Sequence, residues 1–551
     1  MMRRLLVNLS FAAILAFVSG APSIAEAAHD YDVVLRGGVV IDGTGAPGRK
    51  ADVAIRKDRI VAIGKAPGNA ARTIDATGLV VAPGFIDMHS HSDTERLKDP
   101  HGPSVSLQGI STEVWGESSS MAPLGGKRES PPASKERPDL APTWTTLGGF
   151  FDAVEQRGIS ANFVSYIGTG SVRAYVVGYE NRDATPAEIE QEKAVVRQAM
   201  LDGAMGVSSG LSYSPNIYMS TAELAALAAE AGKFGGIYAT HARTVNGQDP
   251  EAIREAVKIA ETANVPLHFF HFNSIASWSA PEFIKIVREA QSRGVRISAD
   301  AYPYTRGVTG LEDYLPSWAL GGGREAMLAR LRDPETRKRI TKGFLTDEPH
   351  YATIGWENVR FGVKDPKVNR KLVTEVAAMR GVSPEDAYMD VVLEQKGEGL
   401  LIDLNNREDT LRLVMRQDFV SVGSDGEAAN LSTSDSPLIH PRNLATYPRW
   451  LGHYVREERL MSPEEAIRKM TSLPASILGL KDRGRLKEGT FADVVVFDPE
   501  TIIDKATFQD PNHYSKGIRY LFVNGEAVVA EGKMTSALPG RALRGPGYKK
   551  P

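Results

Sequence analysis

Eight short runs of strand-forming residues lie between positions 85 and 425, and helical stretches separate most of them. No other feature constrains the fold of this chain as much. The runs are 85–91, 112–117, 162–168, 205–211, 236–242, 266–271, 296–302 and 419–425. Between them, 187–201, 221–234, 250–262 and 281–293 carry helical patterning, and Ser220 or Thr221 is placed to cap the second of these ahead of Glu223. Strands that alternate with helices pair in parallel. Eight of them argue for an α/β fold closed as a (β/α)₈ TIM-type barrel rather than an open sheet.

The chain has 551 residues, more than such a barrel needs, and 42% of them are hydrophobic, enough for a large core. Short alternating strands fill 31–82, with turns at Gly37-Gly38 and Lys57-Asp58. The same texture returns at 492–497 and 520–523, followed by the hairpin turn Asn524-Gly525. Residues 29–82 and 481–551 therefore read as one small β-sandwich built from both termini, and 83–480 as the barrel. The stretch 306–405 is too long for a single crossover and reads as an insertion over the barrel mouth, with its own helix near 384–394.

The first 28 residues have the form of a signal peptide: Arg3 and Arg4, an apolar run over 5–17, then Ala25-Glu26-Ala27. The expectation is an exported chain, periplasmic or secreted, with no stable membrane anchor. The sequence contains no cysteine, so disulfides, thiolate ligands and thiol nucleophiles are excluded. Sixty-five Lys and Arg against 68 Asp and Glu leave a net charge of −3, with no basic excess to suggest a nucleic-acid partner.

In barrels of this kind the working residues sit at the C-terminal ends of the strands. His89 and His91 end the first run, and their spacing of two places them on the same side of a strand. Glu117 ends the second run, His241 the fifth, His271 the sixth and Asp425 the eighth. Each histidine alone is compatible with a satisfied core position. Together, imidazole nitrogens and carboxylates converging on one mouth make a site for a borderline divalent ion, zinc above all. His268 is three residues before His271, hence on the opposite face and structural. His101, His440 and His453 fall in loop or helix contexts near the mouth.

The motifs around these residues resemble the amidohydrolase superfamily, and within it the D-aminoacylase branch. The resemblance rests on Pro83-Gly84-Phe85-Ile86-Asp87-Met88-His89-Ser90-His91, Gln108-Gly109-Ile110-Ser111-Thr112, Thr240-His241-Ala242-Arg243, Phe270-His271, Asp300-Ala301-Tyr302-Pro303-Tyr304, Gly423-Ser424-Asp425-Gly426 and Gly489-Thr490-Phe491-Ala492-Asp493-Val494-Val495. It implies one or two bound Zn²⁺ or other divalent ions. It also implies Asp425 as the group that moves the proton, and a small-molecule amide substrate, an N-acyl-D-amino acid. The branch has a cysteine ligand on its second strand. Counting back from Ala122-Pro123-Leu124 places Glu117 there, and a shift of one places Ser118. A family lysine that helps hold the substrate carboxylate is here Asn273. Arg243, Arg306 and Tyr213 are the substitutes that the neighbouring sequence offers. No lysine occurs in 205–211, which weighs against the cyclic amidases of the superfamily. Other readings compatible with the motifs are a dipeptidase for D-configured or unusual dipeptides, a metal-dependent esterase or phosphotriesterase, and a binding protein without catalysis.

Overall fold

The computed structural model describes residues 29–128, 142–243, 250–277, 279–346, 354–433 and 439–550. The signal peptide expected at 1–28 lies outside the described residues. Eight barrel strands occur where the sequence places them: Phe85–Asp87, Ile110–Trp115, Asn162–Ser165 continued by Ile167–Gly168, Gly206–Gly210, Ile237–His241, Leu267–Phe269, Ile297–Ala301 and Val420–Val422. Neighbours pair in parallel from the first strand to the eighth. The ring closes where Met88 N donates to Val422 O at 3.3 Å and Asp425 N to His89 O at 2.7 Å.

Helices Pro186–Asp202, Thr221–Gly232, Pro250–Ala263 and Ala280–Ser292 cover the outside. The Ser220 hydroxyl caps the second of them by accepting from Glu223 N at 3.2 Å. Most strands end one to three residues before the expected boundary. The chain leaves the ladder there and turns over the mouth, and Ser118, His271 and Asp425 adopt left-handed backbone at φ 57°, 31° and 50°. Such conformations cost energy for residues with a Cβ and persist where surrounding structure enforces them.

Both termini enter one nine-stranded sheet, in which Val494–Phe497 pairs antiparallel with Val80–Pro83. The sheet curls until Arg59 bridges Phe491, so the expected sandwich is a single folded-over sheet. Its residues alternate as the period of two requires. Val494 and Val496 face the sheet's own core, and Val495 and Phe497 face the barrel core. Phe85 joins the two bodies: fully buried, it stacks on Tyr447 at 5.4 Å and meets Phe497 at 6.3 Å. Phe85→Ala is expected to cost about 3–5 kcal/mol, read as a lower denaturation midpoint.

Between strands seven and eight, Gly307–Gly310, Leu400–Asp403 and Val359–Gly362 form a three-stranded antiparallel sheet. Helices pack on it around a core that includes Leu311, Tyr314, Leu328 and Tyr388. This is the insertion expected at 306–405. Val308, Thr309, Gly310, Leu400 and Asp403 of its sheet form part of the wall of the cleft at the barrel mouth. Among the described residues no helix is long and apolar enough to cross a membrane.

Candidate metal centre and substrate cleft

Six side chains from five strand ends meet at the C-terminal mouth. His89, His91, Glu117 and Asp425 form one group of potential ligand atoms, and Glu117, His241 and His271 another. Glu117 belongs to both. Its Oε2 lies 2.6 Å from His89 Nε2 and 3.1 Å from His91 Nε2. Its Oε1 lies 3.4 Å from His241 Nδ1 and 3.6 Å from His271 Nε2. Asp425 Oδ1 is 3.0 Å from His91 Nε2. Ser118 is not the residue in that position: its Oγ accepts from Asn216 Nδ2 at 2.8 Å.

These residues fit a divalent cation. Glu117 Oε1 is buried without a hydrogen-bond partner, and a buried carboxylate facing four imidazoles is stable only with positive charge between them. The proton affinities show the same pull. Burial opposes charge on His89, yet the Glu117 and Asp425 carboxylates raise it well above an ordinary histidine. Burial opposes charge on His91 too, and hydrogen bonds to Asp425 and Glu117 raise it to about 9. Burial and the neighbouring His271 lower His241, which leaves a neutral imidazole suited to ligation. Burial favours a neutral Glu117, but the surrounding histidines hold it well below the carboxylate range.

A second layer fixes the first. His268 is structural, as its strand parity predicts: its Nε2 holds Asp300 Oδ2 at 2.9 Å and its Nδ1 meets Ser298 at 2.9 Å. Asp300 Oδ1 in turn accepts from His271 N at 2.9 Å and lies 3.7 Å from His89 Nδ1. Asp87 accepts from Ser424 N at 2.7 Å and from its hydroxyl at 2.6 Å, which ties strand one to the turn that presents Asp425.

The substrate-side expectations fare differently. Tyr213 lines the cleft, with its hydroxyl 3.3 Å from His241 Nδ1. Arg243 also reaches the wall, but its guanidinium donates to Ile217 O and Met219 O at 2.8 Å each and to Glu255 at 3.1 Å. It pins the 217–219 segment. Arg306 is not on the cleft wall: it donates to Asn358 O at 3.4 Å and lies over Phe508. Asn273 is fully buried, and its Oδ1 accepts from Tyr302 N at 3.2 Å, so it braces the scaffold.

Arg442, which the sequence reading did not single out, lines the cleft. Its Nη1 pairs with Asp425 Oδ2 at 2.7 Å, and its Nε is buried without a hydrogen-bond partner. His440 accepts from Arg442 N at 2.9 Å and steadies it, whereas His453 pairs with Glu457 and Glu458 away from the cleft. Burial opposes ionisation of Asp425, but Arg442 and the histidines hold its carboxyl well below the ordinary range. The cleft has a volume of about 730 Å³ and is bounded by the barrel mouth and the insertion sheet.

A closed parallel barrel whose mouth gathers four imidazoles, a carboxylate shared by two potential ligand groups and an aspartate defines a hydrolase of the metal-assisted barrel class. The chain belongs to the amidohydrolase family, whose profile matches residues 72–529. It is 34% identical to the D-aminoacylase of Alcaligenes xylosoxydans xylosoxydans over 520 residues, covering 93% of this chain and 97% of that one. It is 32% identical to the N-acyl-D-glutamate deacylase of the same organism, over 93% of this chain and 96% of the relative. Among solved structures, the N-acyl-D-glutamate deacylase of Bordetella bronchiseptica, bound to zinc and a phosphonate inhibitor, superposes with a TM-score of 0.77 at 29% identity. That match covers 93% of this chain and 99% of the other.

Proposed function

We propose that this chain is a zinc-dependent deacylase that converts N-acyl-D-amino acids to a carboxylic acid and a free D-amino acid. The observation that carries this reading is Glu117 set between two histidine groups with ionised Asp425 beside them. The likeness over 93% of the chain to enzymes named for that activity supports it.

His89, His91, Glu117, His241 and His271 would hold one or two zinc ions, which supply Lewis acidity that acidifies a water and polarises the amide carbonyl. Asp425, beside this ligand set, would accept the proton of the attacking water. The water oxygen joins the acyl carbon, and the C–N bond breaks as Asp425 returns the proton to the nitrogen, which is too basic to leave as an anion. Asp300 and His268 keep His89 and His271 in place. Asp300→Asn is expected to weaken zinc affinity about 10–100-fold, measured by competition with a chelating dye.

The substrate carboxylate needs a cation in a partly dry cleft. Arg243 is committed, Arg306 lies elsewhere and Asn273 is buried, so Arg442 takes that part. Arg442→Met is expected to raise KM far more for an N-acetyl-D-amino acid than for its amide, about tenfold or more for a lost charged contact. Equal losses on the two would assign Arg442 to Asp425 alone. The reading also places the mature chain outside the cytoplasm, on the strength of the leader-like residues 1–28.

The test is turnover of N-acetyl-methionine enantiomers by zinc-loaded protein, with chiral separation of the products. Release of D-methionine is expected. Turnover of the L-enantiomer alone would reject the assignment.

A further inference from the structure

The outer wall of the cleft is acidic. Asp313, Asp403, Glu312 and Glu427 line it, and Arg243 and Arg442 are the arginines there. Both guanidiniums already face carboxylates: Arg243 Nε lies 3.1 Å from Glu255, and Arg442 Nη1 lies 2.7 Å from Asp425. Glu312 has Arg324 at 3.7 Å. Asp313, Asp403 and Glu427 form no ion pair with any described cation.

Asp403 is the informative member. It is 4% exposed, its Oδ2 accepts from the Tyr314 hydroxyl, and its Oδ1 is buried with no hydrogen-bond partner among the described residues. A buried carboxylate oxygen left in this state costs free energy unless a ligand supplies a donor. Asp313 stands on the same wall. Its Oδ2 accepts from Thr309 Oγ1 at 2.7 Å and from Gly310 N at 2.6 Å. Thr309 lines the same cleft as Tyr213, whose hydroxyl is 3.3 Å from His241. Asp313 and Asp403 thus line the same cleft as Tyr213 and His241. Asp403 pairs with Gly307 across the same sheet.

We propose that this cleft selects substrates that carry an ammonium or guanidinium group, seated against Asp403 and Asp313, and rejects acidic side chains. The proposal rests on the deacylase reading and names its substrate class. A carboxylate side chain would enter against like charge: among the described lining residues Arg243 is held by Glu255 and Arg442 is taken up by Asp425 and the substrate's own carboxylate, which is repulsive discrimination. The cation has two possible sources: a basic side chain on the D-amino acid, or the α-ammonium of an aminoacyl group in place of a simple acyl group.

Four substrates separate these cases on zinc-loaded protein: N-acetyl-D-lysine, N-acetyl-D-norleucine, N-acetyl-D-glutamate and glycyl-D-norleucine. Lysine and norleucine side chains differ essentially by the ammonium. A kcat/KM for N-acetyl-D-lysine about tenfold or more above N-acetyl-D-norleucine is expected, the size of one charged hydrogen bond, with N-acetyl-D-glutamate the poorest. Asp403→Asn should shrink the lysine-to-norleucine ratio. Calorimetry on metal-free protein should show D-lysine binding more tightly than D-norleucine. Preference for glycyl-D-norleucine over its N-acetyl counterpart, without a lysine preference, assigns the cation to the acyl side. Equal rates for the three non-acidic substrates, or a lysine preference that survives Asp403→Asn, overturn the proposal. If no D-substrate is turned over but D-lysine still binds selectively, the deacylase reading fails and the acidic wall stands.

Discussion

Asp425→Asn is expected to retain metal and fold while kcat falls by at least ~10²–10⁴-fold, the usual contribution of a general acid–base group. The variant keeps a hydrogen-bonding side chain of nearly the same shape beside Arg442, which donates to Asp425 Oδ2 at 2.7 Å. It removes the basic oxygen that faces His91 at 3.0 Å. Arg442 and the histidines hold that carboxyl well below the ordinary range against burial, so it is unprotonated before the reaction begins. Steady-state kinetics with zinc content measured on the same preparation checks this. A variant with full zinc and a rate within a few-fold of the parent would move the proton transfer to another group.

Glu117→Gln is the second large effect, and it acts on the metal. Glu117 is the one residue shared by both ligand groups, so its charge balances four imidazoles at once. Partners outside the ligand shell typically alter metal affinity ~10–100-fold, and loss of a shared ligand charge is expected to exceed that, with turnover falling alongside. Ser118→Ala is the matched control. Its hydroxyl serves Asn216 at 2.8 Å, so zinc content should stay near that of the parent. Normal zinc content in Glu117→Gln, with loss in Ser118→Ala, would reverse the assignment.

The barrel and the ligand cluster were readable in the sequence because both follow from local pattern. Strand-forming runs alternate with helices, and ligand-type residues close five of the runs. The parity argument held while the backbone stayed in the ladder. His268 lies on Leu267–Phe269, and it faces away from the cluster toward Ser298 and Asp300, as expected. Asn273, named because it stands where the family has a lysine, lies past the end of that strand: His271 turns to φ 31° and Phe272–Ile275 is a helical turn. Asn273 is thereby swung into the scaffold.

Arg243 stands two residues after His241, the same-side spacing of a strand, but that strand ends at His241; Arg306 stands shortly after strand seven. Backbone carbonyls at 217 and 219 capture the first, and Asn358 of the insertion captures the second. Arg442 carried no local signal. It reaches Asp425 from 17 residues downstream, at the start of helix Arg442–Arg449, and only the folded chain puts the two together. The Asp403 carboxylate, with its Oδ1 left without a hydrogen-bond partner among the described residues, was hidden in the same way, inside an insertion whose strands the sequence did not resolve.

The most direct test of the account is a zinc titration of metal-free protein while hydrolysis of N-acetyl-D-methionine is followed, with bound metal measured at each point. The expected result is negligible release of D-methionine without metal, rising to a plateau as each chain takes up one or two zinc ions. Full activity in chelator, with no metal in the protein, would contradict it.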